Sequence, residues 1–393
     1  MTLNTLEIAS LHVGRYRIAS APDAGRGYAL YMAARADDAA VRSPLLLLLI
    51  DAGFTADRAW EKRLRDAFRD RSHADGYATT LLDCAIEESP EDGAPGAWAV
   101  FEAPWGESLA RTLTAAPLEL DDARSALCSL CHALSALHAA GRWHGALSPS
   151  WIWYGRPDRG PAVVTLIAPG IAPLLAHSTA NMGSHAPPVP VEEAVWFSAE
   201  ALFGVPIGPA SDVWGLALIA FELLAGARYW TPPTPGAGLI EFASQVIGAR
   251  VPPGVRASSC PRPGALPIGF ESWFLGCTAR NPEERPAMAQ AADALLTMLA
   301  APPGPEFPLD VGILAGNPKG SFYDRGLSTA GQVDDRSGYR GTKPVDRPEL
   351  VLGNPKGSFY DRGLNRRGPA RVVVAMSILG LLGAAIAWFL STR

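Results

Sequence analysis

A 70-residue stretch that cannot build a core divides this chain and limits what the rest can become. Residues 301–370 are rich in Gly, Pro, Asp and Arg and hold no long apolar run. Such a segment buries too little apolar surface to offset its loss of chain entropy, so it reads as a disordered linker. Upstream, residues 11–300 are mixed and apolar-rich, enough for a two-lobed core. Downstream, Val372–Leu390 is a 19-residue run without a charge. At ~1.5 Å per residue a helix of that length just spans a hydrocarbon core of about 30 Å. Only three residues follow it, so lipid is favoured over burial in a core.

Charge sets the expected orientation. Arg362, Arg366, Arg367 and Arg371 precede the run and only Arg393 follows it. The positive-inside rule then places the globular part and linker in the cytoplasm, making a single-pass cell-membrane protein. Gly380 and Ala384, like Gly383 and Ala387, lie four apart, a spacing that permits a homodimer through the membrane helix. The chain opens without a basic region followed by an apolar run, so no secretory signal is expected.

The net charge is −5 over 393 residues, and no basic patch suggests nucleic acid. Cys84, Cys128, Cys131, Cys260 and Cys277 form no framework spacing, which suits reduced thiols. Cys128, Cys131 and His132 fit the CxxCH pattern of covalent haem attachment. They also fall in Asp121–Ala140, where Leu127, Cys131, Leu134 and Leu137 share one helical face. The helical reading takes precedence, and no cofactor is expected.

The linker carries one sequence twice. GNPKGSFYDRGL fills residues 316–327 and again 353–364, while the intervening residues show little matching pattern. Duplication alone explains the identity, but the diverged surroundings favour constraint on the twelve residues. Phe322, Tyr323, Phe359 and Tyr360 would anchor a protein partner, with Arg325 and Arg362 orienting it.

The chemistry-bearing motif lies at residues 136–154, ALHAAGRWHGALSPSWIWY. This resembles the catalytic loop of the eukaryotic-type (bacterial Ser/Thr) protein kinases, LHxxGxxHRDLKPxNI. His144, Leu147, Pro149 and Ile152 keep register. Gly145 stands for the Arg, Ala146 for the catalytic Asp, Ser148 for the Lys and Trp151 for the metal-binding Asn. Farther on, Ala168-Pro169-Gly170 sits where the family has AspPheGly. Phe197-Ser198-Ala199-Glu200 resembles its AlaProGlu motif, Ser211-Asp212-Val213-Trp214 opens an apolar helix, and Asn281–Pro286 matches its late Arg motif.

The resemblance implies an α+β, two-lobed kinase-like fold over residues 11–300, here degenerate. It implies scaffold roles for His144, Glu200, Asp212 and Arg285, with Glu200 paired to Arg285 and Asp212 anchoring the loop. The glycine loop would fall between strands Leu11–Ser20 and Tyr28–Arg35, where Gly25 and Gly27 are a weak remnant. The third strand, Leu45–Ile50, has no Lys. The first Lys of the chain is Lys62 and the next is Lys319. The helix acid would fall near Arg65 or Asp66, in the stretch Arg58–Arg71, and Trp98–Leu109 would join the lobes.

Phosphoryl transfer is mostly positioning and charge neutralisation. Ala146 takes no proton, and neither Ala168 nor Trp151 holds a metal. The expectation is a catalytically inactive, membrane-tethered scaffold or regulator without metal or nucleotide. The alternative is a Ser/Thr kinase with unorthodox catalytic residues.

Overall fold

The computed structural model describes residues 12–20, 23–38, 43–69, 76–87, 95–157, 160–176, 189–232, 238–248 and 250–301. All belong to the first of two units, Met1–Leu309; the second is Asp310–Arg393. The linker, both copies of the duplicated motif and Val372–Leu390 lie outside the described residues. Among the described residues no helix is long and apolar enough to cross a membrane.

The N-terminal lobe is an antiparallel sheet. In chain order its strands are β1 (His12–Val13), β2 (Tyr16–Ile18), β3 (Asp23–Gly25), β4 (Tyr28–Arg35), β5 (Leu45–Asp51), β6 (Leu81–Ile86) and β7 (Pro95–Glu102). They lie β1-β2-β4-β5-β7-β6, with β3 also on β4. Leu11–Ser20, expected as one strand, breaks at Gly14, whose φ is 56°. The chain folds back there, so that Val13 pairs Tyr16. The leucine run does form a strand, and β5 is buried on both faces. Leu46, Leu48 and Ile50 face the other lobe, while Leu45 and Leu47 pack with Tyr16, Ile18 and Val100 on the far side.

The helix Arg58–Arg69 crosses this sheet. Its inward residues are Trp60, Leu64 and Phe68, four apart and all buried. Arg65 and Asp66, where the helix acid was expected, lie outside this apolar stripe. Arg65 is tied to Glu61, and Asp66 to Arg69. An aromatic occupies the inward face instead. Trp60 donates from Nε1 to the carbonyl of Leu174 at 3.0 Å, which joins the helix to the other lobe.

Helices dominate the C-terminal lobe. Pro209–Ala225 runs through its centre with nearly every residue buried, as an apolar sequence without a polar stripe demands. Pro209 starts it, where a missing amide costs nothing, and Gly226 ends it in the left-handed conformation, φ 79°. Leu120–Ala139 and Met288–Ala300 pack beside it. Cys131 is buried on the first of these and its thiol is pushed up to about 12 by burial. That position is a core position, not a haem attachment site. A small sheet of β8 (Glu107–Ser108), β9 (Ile152–Gly155) and β10 (Val163–Leu166) carries the loop between the lobes.

Candidate functional site: the cleft between the lobes

The loop 140–151 is held from beneath by one carboxylate. Asp212 is fully buried in the central helix. Its Oδ2 accepts from the amide of His144 at 2.7 Å and its Oδ1 from the amide of Gly145 at 2.7 Å. His138 Nε2 lies 2.8 Å from the same Oδ2. His144 is fully buried as well, and burial lowers its pKa. Its Nε2 faces the carbonyl of Ile167 at 3.0 Å and its Nδ1 accepts from the amide of Ala146 at 3.3 Å. A carbonyl only accepts, so the neutral ring carries its proton on Nε2. The loop approaches so closely that a Cβ on Gly215 would stand 2.8 Å from Leu147 Cβ.

A second tie lies below. Arg285 Nη1 and Nη2 donate to the two oxygens of Glu200 at 2.7 and 2.6 Å, both side chains being buried. The structure thus brings Glu200 to Arg285, and Asp212 to His144. Gly145 has φ 79°, a left-handed backbone that an Arg would adopt only with strain.

Ala146, Trp151 and Ala168 converge, but on an apolar core. They are 7 %, 3 % and 1 % exposed, and they share one cluster with Leu30, Leu48, Phe54, Trp60 and Ile167. Trp151 packs on Tyr28 of β4, ring centroids 4.7 Å apart. An indole thus stands where the family places a metal-binding amide. Ala168 has φ 47°, among the described residues the one non-glycine with positive φ. That conformation costs a β-carbon residue ~1–2 kcal/mol, and Asp or Asn bears it more readily.

The tip of the β3–β4 hairpin closes the cleft from above. Gly25 pairs Tyr28, so only Arg26 and Gly27 form the turn. Of the two remnant glycines, Gly25 thus ends β3 and Gly27 lies in the turn. Gly27 has φ 66°, and a Cβ there would meet Phe54 at 2.1 Å. The Arg26 amide donates to Glu193 Oε1 at 3.0 Å, and Arg26 Nη2 reaches the carbonyl of Leu175 at 3.4 Å. At the front, Arg111 Nη2 and Nε donate to Asp23 Oδ1 at 2.6 and 3.1 Å.

Three residues of one hairpin, Asp23, Arg26 and Tyr28, thus clasp the opposite lobe. Two recesses lie among the described residues of the cleft. One of about 480 Å³ lies at the front, between Tyr28, Leu30, Ser108 and Arg111. The other, about 220 Å³, lies under the turn and is lined by Ala146, Ser148, Trp151, Glu193, Trp196 and Arg228, among others. Burial pushes the Glu193 carboxyl up, against the opposing pull of the Arg26 amide and charge. No group of three or more His, Cys, Asp or Glu suited to a metal ion occurs among the described residues. Sequence reasoning missed Glu193, Asp23, Arg111 and Tyr28. Each pairs across a long stretch of chain, and no local pattern marks such pairs.

The comparisons bear on descent. No family model matches the chain. The chain is 26 % identical over 353 residues to the serine/threonine-protein kinase PknL of Mycobacterium bovis, covering 89 % of this chain and 80 % of that one. It is 30 % identical over 186 residues to the serine/threonine-protein kinase Pkn1 of Myxococcus xanthus, covering 47 % of this chain and 25 % of the relative. Its homologues are bacterial Ser/Thr protein kinases. The solved PknI kinase domain of Mycobacterium tuberculosis aligns with a TM-score of 0.47 at 15 % identity, over 76 % of this chain and all of that domain. PknL and Pkn1 carry a kinase name, while the cleft chemistry described above belongs to this chain.

Proposed function

We propose that this kinase homologue transfers no phosphate and acts as a scaffold or regulator whose cleft is a closed joint. What supports the reading is the cluster that swallows Ala146, Trp151 and Ala168. Groups that must meet water, metal and phosphate sit instead among Leu, Phe and Trp side chains. A polyanion would also have to displace Glu193 and pass Asp23, with Arg111 already committed to that Asp. The test is a thermal-shift titration of the purified chain with magnesium and ATP, alongside incorporation of labelled phosphate. The expected result is no shift and no label. Saturable stabilisation by sub-millimolar nucleotide would remove the claim of an empty cleft, and label transfer would remove the claim of inactivity.

The second reading is phosphoryl transfer by unorthodox residues. The names of the homologues favour it over the first. Within the cleft, Glu193 supports it as an acid facing the smaller recess with a raised pKa, which is what a displaced general base requires.

For the C-terminal part we propose a membrane tether at Val372–Leu390, the globular domain cytoplasmic, and a protein partner held by the two copies of GNPKGSFYDRGL. The hydropathy, the Arg distribution and the repeated aromatics support it. Membrane sedimentation after a salt wash, followed by co-purification, checks both. Removal of residues 372–393 is expected to release the chain. Replacing Phe322, Tyr323, Phe359 and Tyr360 by Ala is expected to abolish partner capture. Unchanged sedimentation or an unchanged set of captured proteins would refute the respective half.

A further inference from the structure

We propose that the outer face of the helix Leu239–Ile247, with the arginines beside it, rests on an anionic lipid surface. The proposal rests on the membrane reading of the C-terminal part for the presence of a bilayer. It adds which face of the folded domain meets that bilayer.

A helix on the surface of a domain ordinarily turns an apolar face inward and a polar face out. This one is apolar on both. Phe242, Ala243 and Val246 are buried, while Ile240, Ser244 and Ile247, four and three apart, are exposed on the opposite side. Ile240 is 80 % exposed. Val251 and Val255, on the chain that follows, are exposed too. Four of the twelve exposed large apolar side chains among the described residues thus fall within residues 240–255. Scattered singly they would need no explanation; gathered in sixteen residues they mark a contact surface.

The charge beside this face is positive in a chain whose net charge is −5. Residues 238–280 hold Arg250, Arg256, Arg262 and Arg280 against Glu241 and Glu271. Two of these arginines cross. Arg280 Nη2 donates to the carbonyl of Gly248 at 2.5 Å, and Arg250 Nη1 donates to Thr278 Oγ1 at 2.7 Å. Burial lowers the Arg250 pKa, and the charge of Arg280 lowers it further. Like charges held this close favour a bound anion. Yet their bonds go to neutral oxygens, and neither forms an ion pair among the described residues. Glu283 and Glu284 follow Arg280 in sequence, and Asn281 Nδ2 holds Glu284 at 3.4 Å.

The combination favours lipid over a protein partner. Ile and Val side chains insert among acyl chains, whereas protein interfaces centre on Trp, Tyr and Arg. The adjoining guanidinia would take headgroup phosphates of an anionic leaflet. The proposed tether Val372–Leu390 would keep such a leaflet at high local concentration, so a weak surface contact suffices.

The experiment uses the full chain on vesicles of phosphatidylcholine alone and of phosphatidylcholine with about one-third phosphatidylglycerol. Hydrogen–deuterium exchange is read over residues 239–256. The amides there are expected to exchange several-fold more slowly on the anionic vesicles than on the neutral ones, and the difference should vanish in high salt. Arg280→Gln should weaken the docking about fivefold, the loss of one surface charge. Ile240→Ser with Ile247→Ser should abolish it. All three side chains are exposed, so these variants keep the fold. Equal exchange on both kinds of vesicle overturns the proposal, as does a difference that survives either variant unchanged. Glycerophosphoglycerol, the headgroup without its chains, should protect nothing at matched ionic strength. Protection by it equal to that of the vesicles would make this a soluble-anion site, and equal protection by polyglutamate would assign the face to an acidic protein. Either result overturns the lipid assignment. The tether is scored apart, by retention on neutral vesicles after a salt wash. Retention without slowed exchange refutes this proposal alone, and slowed exchange on anionic vesicles without retention refutes the tether alone.

Discussion

Glu200→Ala is expected to cost about 3–5 kcal/mol of unfolding free energy, because it leaves a buried guanidinium without its counter-ion. Arg285 also donates to the carbonyls of Ala279 and Ala210, and its guanidinium lies 5.0 Å from the Trp214 ring centroid, so it cannot swing out to water. Glu200 further accepts from Ser211 Oγ at 2.8 Å. Urea unfolding of both proteins at neutral pH measures the difference. A loss under ~1 kcal/mol would place this pair with ordinary surface ion pairs. The pair also has a pH signature. Burial pushes Glu200 up, yet the Arg285 hydrogen bonds and charge outweigh it and hold the carboxyl below its usual value. A depressed folded pKa means that the unfolded chain binds the proton more readily. The contribution is therefore full above the ordinary Glu range near pH 4.5 and is lost as pH falls through the folded value. Glu200→Ala should lack that acid-side loss.

Trp151→Ala is expected to destabilise the chain by about 3–5 kcal/mol, the cost of a cavity in a packed core. In an open, solvated cleft the same change would cost little. The size of the effect therefore reports whether the lobes are fused as the cluster of Tyr28, Trp151, Phe54 and Trp60 indicates. Trp151→Asn, which installs the family's residue, should cost as much, since the amide would sit buried without a metal to hold. Denaturant midpoints of the two variants decide it. A change below about 1 kcal/mol in both would show that Trp151 faces solvent and that the cleft opens.

Local rules made much of this molecule readable. The leucine run was legible as a two-sided buried strand because apolar residues on both faces leave no solvated side. The central helix was legible from Asp212 onward for the same reason. His144, Glu200, Asp212 and Arg285 were found by their order in a motif set, and all four meet their partners through buried contacts. The inward phase of Arg58–Arg69 was also present in the sequence, since Trp60, Leu64 and Phe68 recur every four residues. Reading it by analogy to a helix acid pointed to Arg65 and Asp66, the wrong face.

By itself the sequence determined which chemical groups are missing: no Lys between Lys62 and Lys319, and no carboxylate at Ala146 or Ala168. It also determined the helical and strand periods, because these depend on neighbours a few residues away. Only the tertiary structure decided what took the vacated place. Asp23 meets Arg111 across 88 residues, Arg26 meets Glu193 across 167, and Tyr28 meets Trp151 across the cleft. Such pairs follow from how two lobes dock. Docking is set by the summed burial of both surfaces, which no window of sequence contains.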